Sequence, residues 1–128
     1  MSVVLDSSAL IALIWGEPGG DKVNPRVDGA LISAVNLTEV GDYFLRHGGS
    51  LSGLDKALRE LPIKVVPAET EAALAASDLY ILTRAAGLSL GDRFCLALGR
   101  RLGRPVLTAD RAWGRIADAV GVRVELIR

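Results

Sequence analysis

Short apolar segments alternate with helical segments along the whole chain, and this alternation restricts the fold more than any other feature. The apolar segments carry β-branched residues, and the first four lack a regular two-residue alternation of apolar and polar positions. Strands that are covered by helices on both faces have this composition. The predicted strands span residues 3–5, 30–33, 63–66, 105–108 and 122–127. We therefore expect an α/β fold, a three-layer sandwich with a mostly parallel, doubly wound sheet.

Each predicted helix is followed within two residues by glycine or proline, which commonly end helices. The predicted helices cover residues 7–15, 36–46, 52–61, 69–86, 89–102 and 111–120. The short polar segment around Pro25 is predicted to have no regular structure. Because the 128 residues contain no linker, repeat or low-complexity segment, we expect a single domain over residues 1–128.

The composition excludes several classes of protein. Half of the residues are apolar and 23% are charged, which is typical of a packed core and not of a disordered chain. The two Trp, two Tyr and two Phe are too few for a row of rings that stacks bases. Cys95 is the sole cysteine, in an apolar segment that is predicted to be buried helix, and the sole histidine, His47, is distant in sequence. An internal disulfide is therefore excluded, and nothing indicates a nucleophilic Cys–His pair.

The N-terminal apolar segment does not have the features of a targeting sequence. Asp6 interrupts it, and no basic region precedes it. We therefore expect neither a signal peptide nor a membrane span, and a cytoplasmic location.

The net charge of zero conceals an uneven distribution of charged residues. Residues 1–83 carry six Lys or Arg and eleven Asp or Glu, whereas residues 84–128 carry nine Arg and four acids. Arginine suits contacts with phosphate or carboxylate groups better than lysine does. A solvated surface explains the same pattern equally well, so the charge alone does not identify a partner.

Four acidic residues stand where predicted strands end or predicted helices begin. Asp6 ends the first strand and Asp110 follows the fourth, while Glu39 and Asp92 lie in the first turn of their helices. In a doubly wound sheet the ligand crevice lies beyond the carboxyl ends of the strands, at the point where the strand order reverses. If the first and fourth strands are neighbours, all four acids face one crevice.

Each acid also has a structural interpretation as a helix cap. Asp6 and Asp110 can act as N-caps, and the other two acids stand three residues after Asn36 and Ser89, as in capping boxes. Together, however, two carboxylates at about 4 Å repel by roughly 4 kcal/mol at an effective dielectric of ~20. Converging carboxylates therefore require protons or cations, and oxygen ligands favour Mg²⁺ or Mn²⁺ over Zn²⁺. Such ions support hydrolysis of phosphodiesters.

The four acids lie in the segments VLDSSAL (4–10), ISAVNLTEV (32–40), LSLGDR (88–93) and LTADRAW (107–113). These segments resemble those of the PIN-domain nucleases, and most of all the VapC toxins of bacterial and archaeal toxin–antitoxin pairs. The resemblance covers essentially the whole chain, in the same order. Residues 41–62 match nothing that we can assign, which leaves the choice of substrate open.

The resemblance implies a metal-dependent endoribonuclease with an RNA substrate, a Mg²⁺ or Mn²⁺ cofactor, a homodimeric assembly and a VapB-like antitoxin as partner. It places Thr108 at a position where the family often has a hydroxyl near the site. Arg84 and Arg93 are our candidates for contacts with RNA or antitoxin. The implied catalytic and metal-binding residues are Asp6, Glu39, Asp92 and Asp110.

Other phosphate chemistries fit the sequence less well. A receiver domain needs adjacent acids after its first strand and a late lysine, but Ser7 follows Asp6 and the last lysine is Lys64. A haloacid-dehalogenase-type phosphatase needs a second aspartate at the position of Ser8. A housekeeping PIN-fold nuclease that processes RNA or DNA stays open, as does a PIN-like module that binds RNA or protein without catalysis.

Overall fold

The computed structural model describes residues 2–128. No helix within these residues combines the length and the apolar character that a membrane crossing requires. Two short 3-10 segments, Asn24–Arg26 and Arg84–Ala86, accompany the regular elements. In chain order these are β1 (Val4–Leu5), α1 (Ser7–Trp15), α2 (Gly20–Val23), β2 (Leu31–Ser33), α3 (Ala34–Arg46), α4 (Leu51–Glu60), β3 (Lys64–Val66), α5 (Thr70–Asp78), α6 (Tyr80–Thr83), α7 (Leu90–Leu102), β4 (Val106–Thr108), α8 (Trp113–Val120) and β5 (Val124–Leu126).

The five strands form one sheet in the order β3-β2-β1-β4-β5, and every neighbouring pair is parallel. The chain builds outward from β1 to β3, then returns past β1 to begin β4 on its other side. The strand order therefore reverses between β1 and β4, which is where a doubly wound sheet opens its crevice. This order confirms the predicted fold class, and it makes the first and fourth strands neighbours.

Helices cover both faces of the sheet and bury a separate apolar cluster on each. Leu5 and Leu107 point into a cluster shared with residues of α1, α2, α3 and α4. Their neighbours Val4 and Val106 point to the opposite face, into a cluster with residues of α5, α7 and α8. Alternate residues of each strand thus face different cores, which explains why the strands read as continuous apolar segments.

The predicted helix over residues 69–86 is wrong as one element, because the structure divides it at Leu79. Leu79 is fully buried in the second cluster, and its amide bonds Ala76 in a tighter i to i−3 pattern. The Thr83 hydroxyl donates to the Leu79 carbonyl oxygen at 2.8 Å, and such bonds compete with regular helix geometry. Burial of one leucine thus overrides a strongly helical composition.

The segment after the first helix is also more regular than predicted. It forms α2, whose Val23 is fully buried in the first cluster. Gly20 allows α2 to approach α1, because a Cβ there would lie 3.0 Å from the Ala12 carbonyl carbon. A four-residue helix is too short to produce a periodic apolar pattern.

Gly99 of α7 provides a test of the packing between helix and sheet. A Cβ at this position would lie 2.5 Å from the Val106 Cγ2 atom of β4. We expect Gly99→Ala to lower the free energy of unfolding by about 1–3 kcal/mol through overpacking. Gly114→Ala on α8, where nothing lies within 4 Å, is the matched control and should be neutral or slightly stabilising. Urea denaturation measures both, and equal effects would contradict the packing.

Candidate active site

Asp6 lies at the end of β1, with only 5% of its surface exposed. It is the N-cap of α1, as the capping interpretation predicts: Oδ1 accepts the Ala9 amide at 2.8 Å and the Ser8 hydroxyl at 2.7 Å. Its other oxygen, Oδ2, accepts the hydroxyl of Thr108 at the end of β4. The cap accounts for one oxygen, and the second oxygen connects the two strands at the switch point.

Two hydroxyl groups connect Asp6 to the backbone that follows β4. Thr108 accepts a hydrogen bond from the Asp110 amide at 3.0 Å, and Ser8 accepts one from the Ala109 amide at 2.9 Å. Thr108, which the family resemblance indicates, lies against Asp6. Ser8 was not among the predicted site residues, although a hydroxyl two residues after a strand-end aspartate is a local pattern that permits a bond to that aspartate.

Asp110 is exposed just beyond β4. Its Oδ1 accepts the Ala112 amide at 3.0 Å. The interpretation of Asp110 as an N-cap is wrong, because α8 starts at Trp113 after Ala112 and has no side-chain cap. Asp110 instead closes the turn before the helix.

Asp92 lies at the start of α7 in the predicted capping box. Its amide bonds the Ser89 hydroxyl at 3.2 Å, and its Oδ2 accepts the Ser89 amide at 2.9 Å. The negative charge of Asp92 acts on Asp6, and that of Asp110 acts on Asp92. Asp92 is therefore the electrostatic neighbour of both strand-end acids.

Glu39 does not occupy the helix position predicted for it. Ser33 caps α3, which begins at Ala34, so Asn36 lies inside the helix and Glu39 in its second turn. The predicted capping box at Asn36 is wrong because β2 runs into α3 without a loop. The Glu39 carboxylate nevertheless reaches the start of α7, where a Cβ on Gly91 would lie 2.6 Å from its Cδ atom.

Burial, more than repulsion between carboxylates, raises the pKa values of Asp6 and Asp92. It raises the pKa of Asp6 to about 6, against hydrogen bonds from Thr108, Ser8 and Ala9, with a smaller contribution from the Asp92 charge. Burial likewise raises the pKa of Asp92, against its bonds with Ser89, and the Asp110 charge adds to the shift. Repulsion between the carboxylates is thus a smaller cause of both shifts than burial is.

Cys95 is fully buried in α7, as predicted, and lies near enough to three of the acids for their charges to act on its thiol. Burial raises the pKa of its thiol well above the usual range, and the charges of Asp6, Asp92 and Glu39 raise it further. Three acids from three different elements thus surround one buried group. The thiol itself stays protonated and inert.

The donor set fits a hard divalent cation in its chemistry. All four groups are carboxylates, which Mg²⁺ and Mn²⁺ prefer, and a cation would offset the cost of ionising the buried Asp6. In residues 2–128, however, no three Asp, Glu, His or Cys side chains lie close enough together to hold one ion. The charges of Asp92 and Asp110 act on their neighbours Asp6 and Asp92 without forming a closed set of ligands.

The two candidate arginines have different environments. Arg93 donates to the Ala76 carbonyl oxygen at 3.1 Å, and its guanidinium lies 5.3 Å from the centre of the Tyr80 ring. These contacts pack α7 against α5 and α6. Arg84 is exposed in the 3-10 segment that precedes α7.

The fold and the site define an α/β domain with acidic residues near the switch point of its parallel sheet. The model of the PIN domain family matches residues 3–119. The chain belongs to this family, whose members are nucleases. A comparison with curated proteins finds no match.

Several solved structures are similar over nearly their whole length. A toxin–antitoxin complex from Klebsiella pneumoniae aligns with a TM-score of 0.76 and 17% identity, over 99% of this chain and 98% of that chain. DNA-bound VapBC from Salmonella typhimurium gives 0.71 and 18%, over 100% and 99%. VapBC-1 from nontypeable Haemophilus influenzae gives 0.71 and 15%, over 99% and 98%. At these identities the similarity establishes the fold.

The raised pKa of Asp6 predicts how stability changes with pH in protein kept free of metal by a chelator. The carboxyl ionises at about 6 in the folded protein and at 3.8 when unfolded, so the unfolded state loses its proton first. Its contribution to stability is complete below pH 3.8 and is lost as pH rises through 6, by about 3 kcal/mol in total.

Asp6→Asn should remove this contribution to the pH dependence, since an amide does not titrate and its Oδ1 can still accept from Ser8 and Ala9. Asp118→Asn, on the exposed side of α8, is the control and should retain the full dependence. Chemical denaturation between pH 4 and pH 7 measures the difference. Parallel pH profiles for the parent and Asp6→Asn would contradict the assignment.

Proposed function

We propose that this protein is a Mg²⁺- or Mn²⁺-dependent endoribonuclease and the toxin of a toxin–antitoxin pair. The observation that most supports this is that four acids from four separate elements lie on the side of the sheet where the strand order reverses, where the charge of Asp92 acts on Asp6 and that of Asp110 acts on Asp92. Independent helix caps have no reason to meet there, and two of the four do not cap a helix. The acids are Asp6, Glu39, Asp92 and Asp110.

In the proposed mechanism, Asp6, Asp92 and Asp110 would move closer together to hold the principal cation, and Glu39 would act on a second cation or through water. A bound cation supplies acidity to a water molecule and neutralises charge on the phosphodiester. Ser8 and Thr108 fix the orientation of Asp6, so that it meets a ligand without reorganising. Arg84, which is exposed, stays our candidate for contact with a flanking phosphate.

The proposal includes two protein partners and a cytoplasmic location. Similarity to structures named as toxin–antitoxin and VapBC complexes supports a VapB-like antitoxin. A homodimer is supported by Tyr80, Ile81 and Leu82 of α6, which are 50%, 67% and 46% exposed in an isolated chain. Consecutive exposed apolar side chains favour a protein interface over a surface left in water.

Purified protein free of antitoxin should cleave RNA with Mg²⁺ or Mn²⁺ and stop when EDTA is added. Because water attacks the phosphorus, the products should carry 5′-phosphate and 3′-hydroxyl ends. Asp92→Asn should lower the rate by at least about 100-fold, while the asparagine oxygen can still accept the Ser89 amide of the capping box. Asp118→Asn is the control. Sequencing of fragment ends tests the chemistry, and cleavage in excess EDTA or cyclic 2′,3′-phosphate ends would exclude this mechanism.

Expression of the chain alone in a bacterial host should arrest growth, and Asp92→Asn should relieve the arrest. The reason is that uncontrolled RNA cleavage stops protein synthesis, whereas a housekeeping nuclease is tolerated. Growth curves with the protein amounts matched by immunoblot give the comparison. Equal toxicity of the parent and Asp92→Asn would mean that the arrest arises elsewhere in the molecule.

A further inference from the structure

We propose that Asn36 is a positioning residue for Glu39, and that Gly91 provides the space into which Asn36 holds it. This inference rests on the proposed function, because it assigns to these residues the task of presenting Glu39 to the metal site. The juxtaposition that carries it is a buried amide on α3 that binds both the Glu39 carboxylate and the backbone at the start of α7.

The side-chain amide of Asn36 makes two hydrogen bonds, one to each helix. Its Nδ2 donates to Glu39 Oε1 at 3.0 Å and to the Gly91 carbonyl oxygen at 3.0 Å. Both partners are acceptors, so only the nitrogen can face them, which fixes the orientation of the amide. One side chain thus ties the Glu39 carboxylate to a residue 55 positions away from Asn36 in the chain.

The burial of the Asn36 side chain, with its amide oxygen unpaired, is unfavourable for folding. Asn36 is 1% exposed, and its Oδ1 has no hydrogen-bond partner within residues 2–128. An unpaired buried acceptor loses its hydration without compensation. Asparagine is also a weak helix former, and α3 extends over it without using it as a cap. An apolar residue would be more favourable at a purely structural position. We therefore assign the presence of asparagine at position 36 to its two donated hydrogen bonds.

Gly91 is a second residue that is unfavourable for its own helix, and it lies at the same contact between α3 and α7. It lies buried within α7, where glycine is less favourable than alanine. A Cβ on it would lie 2.6 Å from Glu39 Cδ and 2.7 Å from Oε1, closer than real Cβ contacts. The Glu39 carboxylate therefore occupies the space that a side chain at position 91 would fill. Two residues that weaken their own helices both serve the position of one acid, beside Asp92.

Loss of either residue should release Glu39 without removing any carboxylate. Groups that orient metal ligands from behind typically change metal affinity by about 10- to 100-fold. We therefore expect Asn36→Ala to weaken Mn²⁺ binding and slow RNA cleavage by about 10-fold or more. Gly91→Ala should do the same from the opposite side, because the new methyl group displaces the carboxylate while α7 gains a better helix former.

The test is a double-mutant cycle on the full chain, stripped of metal and titrated with Mn²⁺ by calorimetry, with RNA cleavage measured in parallel. If Asn36 acts through Glu39, Asn36→Ala should add little to Glu39→Ala, because the residue it positions is already gone. Thr38→Ala is the control, since Thr38 is exposed and bonds only the Ala34 carbonyl oxygen of its own helix. Thermal melts verify folding, and Gly91→Ala carries the test if Asn36→Ala fails to fold.

The outcomes separate this inference from the proposed function. If the parent neither binds Mn²⁺ nor cleaves RNA, both are overturned. If the parent does both while Asn36→Ala and Gly91→Ala behave like Thr38→Ala, only the role of Asn36 is overturned. An effect of Asn36→Ala that adds in full to that of Glu39→Ala also overturns it, because Asn36 then acts independently of Glu39.

Discussion

The hydrogen bond from Thr108 to Asp6 joins the ends of the two central strands, and the rest of the structure depends on that junction. β1 contributes only two residues to the sheet, yet it pairs with a strand on each side. Helices on one face close over Leu5 and those on the other close over Val4. The carboxylate that ends this strand caps α1 and accepts the hydroxyl from β4. The centre of the fold and the centre of the site are therefore the same few residues.

Because the site lies at the centre of the fold, its buried carboxylate lowers the stability of the protein. A carboxylate that is 5% exposed resists ionisation, and the molecule offsets part of that cost with three hydrogen bonds to Asp6. The site is thus assembled at some expense to a fold whose net stability is small. A bound cation would offset the cost of ionising Asp6 only in the folded state. Cation binding would therefore stabilise the folded protein.

The alternation of apolar and helical segments predicted the fold class and the sheet, because strands buried on both faces have a strong local signature. Positions at strand ends also indicated Asp6 and Asp110, since parallel strands end at one edge. The sequence could not show that Ser33 caps α3, because the spacing of Asn36 and Glu39 is the same inside a helix as at a cap. Nor could it show the bond between Ser8 and Ala109, which joins residues 101 positions apart. The division at Leu79 depends on burial, which local composition does not encode.

The bond between Thr108 and Asp6 joins residues 102 positions apart in a chain of 128. Until residue 108 has left the ribosome, β1 has no partner on the side where β4 will lie. A pairing between distant segments forms only after both segments have been synthesised. The carboxylate that ends β1 consequently gains its partner on β4 only after every strand and helix between them has been synthesised. The order of the strands in the chain thus delays assembly of the group of acids until β4 has emerged from the ribosome.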